Sequence, residues 1–218
     1  MWLLRLPGVY KPQEDTRLLL QALRQAMPRK ARVLDVGTGT GVLAVTAAQL
    51  GAEEVVAVDI TAPAVWSARV NSRLRLLSSV RVVRGGIPDA VLGERFNLVV
   101  SNPPYVPANG HPPRGRDRAW DAGLNGRDVL DLLCAKAPGL LAPGGTLLLV
   151  QSSLSGVEDT VCKLEQANLA SSIVARKVVP FGPVMQQRAP LWEQRGCILP
   201  GQRHEELVVI RAQRNGTE

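Results

Sequence analysis

Ser101-Asn102-Pro103-Pro104-Tyr105 follows the apolar run 96–100 and brings three kinds of group to the end of a predicted strand. An amide side chain, a carbonyl whose residue precedes proline and an aromatic ring can together hold a planar amino group. An amide or aryl amine nitrogen is a poor nucleophile because its lone pair is delocalised. Acceptors on both of its N–H bonds fix it in line for attack on an electrophile and favour the positive charge that builds on it. In this reading the Asn102 oxygen and the Pro103 carbonyl accept those two bonds, and Tyr105 packs on the flat face of the target. Asn-Pro and Pro-Pro are also common turn pairs, so the place after a buried strand matters as much as the composition.

Upstream, Asp35-Val36-Gly37-Thr38-Gly39-Thr40-Gly41 lies between a predicted strand and a predicted helix. Gly37, Gly39 and Gly41 let the backbone pass close to a ligand, and the helix start presents unpaired N–H groups. A dinucleotide fingerprint needs its third glycine at position 42, which is Val42. The spacing speaks against NAD and suits a donor without a pyrophosphate. Asp59 ends the next predicted strand, where a carboxylate accepts from both ribose hydroxyls. Together these segments predict an S-adenosylmethionine-dependent N-methyltransferase.

The elements that must position these residues are legible as alternating patterns. The spacing predicts a leading helix over 14–27, with Leu18, Leu19, Ala22 and Leu23 on one face and Pro28 closing it. Val/Leu-rich strands are predicted at 33–36, 55–58, 80–83, 97–100, 146–150, 173–179 and 207–211. Helices are predicted at 41–50, 63–77, 125–137 and 157–167, the third capped by Asn125 with Asp128 as a capping-box partner. Near-continuous apolar strands alternating with helices imply an α/β fold with a parallel sheet covered on both faces. No repeat or dividing linker interrupts residues 1–218, which read as one domain with a helical lead-in over 1–30. The segment 107–118, rich in proline, glycine and arginine (Arg114, Arg116, Arg118), breaks the rhythm. With residue 106 it reads as a flexible loop beside the site.

A hydrophobic content of 45% with 21% charged residues excludes an intrinsically disordered chain. The net charge of +7 raises the chance of an acidic or nucleic-acid-associated partner and specifies neither. Cys134, Cys162 and Cys197 are an odd number at motif-free spacings, which predicts reduced thiols in a cytoplasmic protein and no metal site. No apolar run approaches the ~20 residues of a membrane span.

Two further segments carry a family resemblance. Val9-Tyr10-Lys11-Pro12-Gln13-Glu14-Asp15-Thr16 and Ala119-Trp120-Asp121-Ala122-Gly123-Leu124-Asn125-Gly126-Arg127-Asp128-Val129, with the Asn-Pro-Pro-Tyr motif, resemble the HemK-type release-factor glutamine methyltransferases. The likeness is to the short form without an N-terminal helical substrate-binding domain, and it covers most of 9–151. It implies the Rossmann-like class I methyltransferase fold: a seven-stranded, mostly parallel sheet with helices on both faces and an antiparallel last strand. It also implies N5-methylation of a glutamine in a translation release factor, with S-adenosylmethionine held by Thr16, Asp35, Gly37 and Asp59. Asn102 would bridge cofactor and substrate, and Trp120, Gly123 and Arg127 would lie near substrate entry. The family often carries an acidic residue after the third strand, near the adenine. Here the chain has Arg84-Gly85-Gly86, so Gly85 and Gly86 would face the cofactor, and Asp89 is the nearest carboxylate. The segment 181–204 is longer than the short form's usual last turn, and reads as either an added helix around Trp192 or a loose hairpin. Short relatives commonly work with a small zinc-binding activator, which would pair here along the third-strand edge from Ser79 to Arg84.

Two alternatives remain open on sequence. The motif is shared with adenine-N6 and guanine-N2 methyltransferases, so RNA or single-stranded DNA is a possible acceptor; an aromatic content of 4% and no separate recognition domain weigh against a flipped base. A non-catalytic cofactor-binding scaffold is the other, and the intact Asn102 and Tyr105 weigh against it.

Overall fold

The computed structural model describes residues 1–107, 120–123 and 125–216. Residues 108–118, with the three loop arginines, lie outside the described residues, as do Ala119 and Leu124 of the second resemblance segment.

All seven expected strands form: β1 (Arg32–Val36), β2 (Glu54–Asp59), β3 (Val80–Arg84), β4 (Phe96–Ser101), β5 (Leu141–Ser152), β6 (Leu169–Pro180) and β7 (His204–Arg214). They build one sheet in the order β3-β2-β1-β4-β5-β7-β6. Neighbours from β3 to β5 are parallel, and β7 runs antiparallel between β5 and β6. The last strand alone opposes the others, as the family resemblance implied.

Strand periodicity divides the apolar side chains between two cores. Leu34, Val36, Val56 and Val58 point to one face and pack with Leu130 and Leu133 of α4 (Asp128–Leu140) and Leu164 of α5 (Val157–Gln166). Val33, Val55 and Ala57 point to the other. There they meet Leu19 and Leu23 of α1 (Glu14–Ala26) and Leu43 and Ala47 of α2 (Val42–Gln49). Both faces are dry, which is why the central strands carry Val and Leu without polar alternation.

Helix ends differ from expectation in two places. The helix expected over 63–77 is α3 (Ala62–Arg73); Leu76 at φ 55° turns the chain back, with Leu77 N–H donating to Ser72. The α4 helix does not start from Asn125. It begins at Asp128 after Arg127, with no side-chain cap, because Gly123 and Gly126 at positive φ form a turn that ends in Asp128 N–H donating to Ala122 O. Asp128 is thus a first-turn residue and not a capping-box partner. The segment 181–204 resolves to a helix, α6 (Pro183–Gln194), started by proline at a position where no N–H is needed. It buries Met185, Ala189 and Trp192 against Val106, Phe181 and Ile198 in a satellite core.

Register is what assembles the site. Val36 pairs with Val58 on one side and Ser101 on the other, so β2, β1 and β4 end level with one another. The order of strands reverses between β1 and β4. Ligands in open α/β sheets bind at such a point, beyond the carboxyl ends of the strands.

Candidate active site

The strand ends open into a cavity of about 320 Å³, within the ~300–1,000 Å³ typical of small-molecule sites. Ten of the expected site residues line it: Thr16, Gly37, Gly39, Asp59, Gly85, Gly86, Asn102, Pro103, Tyr105 and Trp120.

At one end the wall is mostly backbone. Gly37 and Thr38 N–H groups donate to Val58 O at 2.9 and 3.0 Å, which folds the loop over the end of β2. Asp59 closes the loop: Oδ2 accepts from Gly39 N–H at 3.1 Å, and Oδ1 accepts from the Thr61 N–H and hydroxyl, each at 2.9 Å. A carboxylate offers about four acceptor sites, so Asp59, which lines the cavity, has about one left. A Cβ added at Gly37 would meet nothing within 4 Å, and at Gly39 only atoms at 3.9 and 4.0 Å. The space above the loop is open, and both glycines hold positive φ. Ile60, Ile87 and Gly86 continue this wall. Carboxylate, bare loop and apolar flank are groups that fit a nucleoside: an acceptor for a sugar hydroxyl and an apolar surface for a ring. Asp89 does not line the cavity, so no acidic residue after β3 reaches it.

The other end is built from side chains far apart in sequence. Asn102 Nδ2 donates to Thr16 Oγ1 at 3.1 Å. Thr16 N–H and hydroxyl both donate to Asp15 Oδ1, at 2.5 and 3.1 Å, while Tyr10 and Tyr105 hydroxyls donate to Asp15 Oδ2 at 2.8 and 3.1 Å. Burial first, then the Asp15 charge, pushes both tyrosines well above the ordinary phenol range, so both remain donors. Burial also raises Glu205 on β7, with the nearby Asp15 adding to the effect. The Asn102 oxygen and the Pro103 carbonyl receive no hydrogen bond among the described residues and stand at the cavity wall.

Around Tyr105 the backbone is pinned. Ser155 hydroxyl donates to Tyr105 O at 2.7 Å, Val106 N–H to Trp120 O at 2.8 Å and Ala122 N–H to Val106 O at 3.0 Å. Arg188 of α6 donates to Asp121 Oδ1 at 2.5 Å and to Pro107 O at 2.8 Å. The Arg188 and Asp121 side chains are only 11% and 5% exposed, which makes this a buried ion pair.

Four expected site residues stand behind the cavity. Asp35 is fully buried; Oδ2 accepts from Thr38 Oγ1 at 2.6 Å and Ala44 N–H at 3.0 Å, and burial pushes its carboxyl up to about 7. It ties the glycine loop to α2. Gly41, at φ 81°, lies where a Cβ would come within 3.0 Å of Ala68 Cα and Cβ, so it permits close approach of α3. Gly123 leaves room for the Asp128 carboxylate, 2.3 Å from an added Cβ. Arg127 donates to the Ser155 and Gly156 carbonyls and to Thr160, and pairs with Asp131 at 2.8 Å, which joins α4 to α5. The sequence reading assigned no role to Asp15, Tyr10, Arg188 or Asp121. Asp15 and Tyr10 stood inside a quoted segment, but nothing in their spacing announced that they converge on Tyr105.

The methyltransferase small domain model matches residues 1–178. A provisionally named protein N5-glutamine methyltransferase of Methanocaldococcus jannaschii is 34% identical over 181 residues, 82% of this chain and 90% of that one. The release factor glutamine methyltransferase of Deinococcus radiodurans is 42% identical over 147 residues, 63% of this chain; the chain spans about half of that relative, 52% of its length. Among solved structures, the E. cuniculi Mtq2–Trm112 complex, responsible for methylation of the eRF1 translation termination factor, aligns at 24% identity. Its TM-score is 0.63 over 95% of this chain and 99% of that chain. The family model covers most of the chain, and the chain belongs to the methyltransferase small domain family.

Proposed function

We propose that this chain is an S-adenosylmethionine-dependent protein-glutamine N5-methyltransferase that acts on a translation release factor. One observation carries the proposal: an amide oxygen (Asn102) and a carbonyl (Pro103) that receive no hydrogen bond among the described residues stand at a cavity whose other end is lined by Asp59 and the bare Gly37–Gly39 backbone. S-adenosylmethionine supplies an electrophilic methyl carbon. Asp59 would hold its ribose, the Gly37 and Gly39 backbone would pass beneath it, and Ile60 with Gly86 would flank its base. Asn102 Oδ1 and the Pro103 carbonyl accept the two N–H bonds of the glutamine amide, and Tyr105 covers its face. A nitrogen–carbon bond forms as the donor's sulfur–carbon bond breaks, and the amide nitrogen then gives up one proton. That nitrogen becomes strongly acidic on methylation, so no strong base is needed.

The names of the Methanocaldococcus and Deinococcus relatives support glutamine as the acceptor. A small zinc-binding activator on the β3 edge is the partner we propose. β3 is one of the two edge strands and half exposed, and the fold neighbour from E. cuniculi was solved with Trm112. Leu76 and Leu92, 90% and 80% exposed, flank β3 in sequence. Val82→Pro should abolish co-purification of such a partner; an unchanged pull-down would retire the edge. Among the described residues no helix is long and apolar enough to cross a membrane.

Radiolabelled methyl transfer into a release factor, with wild type and Asn102→Ala compared after nuclease and after protease, tests the function. Label that survives nuclease and maps to a glutamine establishes it. Label lost to nuclease moves the acceptor to nucleic acid.

A further inference from the structure

Asp15 sits in the first turn of α1, 4% exposed, where the helix start favours negative charge. Four donors converge on its two oxygens: the Thr16 N–H and hydroxyl, and the hydroxyls of Tyr10 and Tyr105. A carboxylate is acceptor-only, whereas a threonine hydroxyl has a single proton. With that proton turned to Asp15, Thr16 Oγ1 can only accept from Asn102. The partner at 3.1 Å must therefore be the Asn102 NH2, and the amide oxygen must face the cavity. Amide orientation is set by such partners, because the two ends of an asparagine are nearly isosteric.

We infer that Asp15 is a positioning residue that fixes which end of the Asn102 amide meets the acceptor, acting through Thr16, and that clamps the Tyr105 ring through its hydroxyl. Polarity runs one way along the chain Asn102 NH2 to Thr16 hydroxyl to Asp15. An amide in place of the carboxylate would keep its oxygen toward Thr16, because the Thr16 N–H donates to the same position as the hydroxyl, so removal of the carboxylate is what releases the link. In Asp15→Ala the threonine proton is free to turn to Asn102, and the Asn102 amide then turns its NH2 toward the acceptor where an oxygen is required. The inference rests on the amide-methylation reading for its consequence in catalysis, but not for the orientation itself.

The test pairs a spectrum with a rate. In a two-dimensional 15N–1H spectrum of the full chain, the Asn102 side-chain NH2 pair is assigned by its loss in Asn102→Ala. Asp15→Ala should shift that pair while the backbone amide map stays. It should also lower kcat for methyl transfer to a release factor on the order of 10–100-fold, the scale of a misplaced reacting group, with the Kd for S-adenosylmethionine within about twofold. Thr16→Val breaks the same link and should move the same pair, whereas Thr16→Ser should restore both spectrum and rate; these two decide the matter if Asp15→Ala does not fold. An Asn102 pair unmoved by both Asp15→Ala and Thr16→Val overturns the inference. So does a moved pair with unchanged kcat. If wild type labels no glutamine, the proposed acceptor fails, and the spectrum still decides the orientation.

Discussion

The two ends of the cavity are built by different means. At the Asp59 end the wall is backbone, produced within one strand–helix–strand unit, and its hydrogen bonds join residues at most about two dozen positions apart. At the Asn102 end the wall is side chain. Asn102 meets Thr16 from 86 positions away, Tyr105 meets Asp15 from 90, and Arg188 meets Asp121 from 67. The first end follows from strand length and glycine placement. The second requires that α1, the end of β4 and α6 already be docked, so its order depends on tertiary packing. A binding surface made locally tolerates change elsewhere; one made of distant side chains does not.

Four perturbations sharpen the contrast. Asn102→Ala should have the largest effect, lowering kcat by about 10³-fold while leaving the Kd for S-adenosylmethionine within a few-fold, since it removes an acceptor and no wall; single-turnover methyl transfer with calorimetry measures both. Arg188→Ala leaves Asp121 buried and unpaired and should cost about 3 kcal/mol in denaturant unfolding. If the ends are as separate as they look, it raises the acceptor KM and spares the cofactor Kd, and equal loss of both would dissolve the comparison. Asp59→Ala should do the reverse, weakening cofactor binding about 10–100-fold through lost charged hydrogen bonds, with unfolding little changed. The smallest effect concerns Asp35. Its carboxyl, up to about 7 when folded against an ordinary 3.8, holds an extra proton in the folded state between about pH 4 and 7. Stability contributed by that group falls as pH rises through this window. Urea midpoints of Asp35→Asn should lack that fall, and a parallel pH profile would show that the group does not titrate there.

The same division explains what the sequence disclosed. Strands and their two-faced burial are periodic and read correctly from spacing, and Gly37, Gly39 and Asp59 are local enough that the structure brings them to one end of the cavity. Asp35 and Gly41 were recognised as part of the loop, but their positions behind the cavity depend on which way a strand residue faces and on where Ala68 packs. Arg127 gave no sign that it would face α5, because its partners are the carbonyls of Ser155 and Gly156, and carbonyls are invisible to side-chain pattern. The start of α4 was misplaced by three residues because two positive-φ glycines outweighed a plausible cap at Asn125. Trp192 did mark a helix, yet only the satellite core shows that this helix braces the Tyr105 end.

The level endings of β2, β1 and β4 have one more effect. Asp59 and Asn102 follow residues that flank Val36 in register, so two inter-strand steps of about 4.8 Å separate them. The sheet is a ruler of about 10 Å between Asp59 and Asn102. No surface substitution can lengthen it, because its gradations are backbone hydrogen bonds. A change in the size of the cavity has to come from side chains that line it, such as Tyr105 and Trp120, above a base plate whose spacing the strands hold fixed.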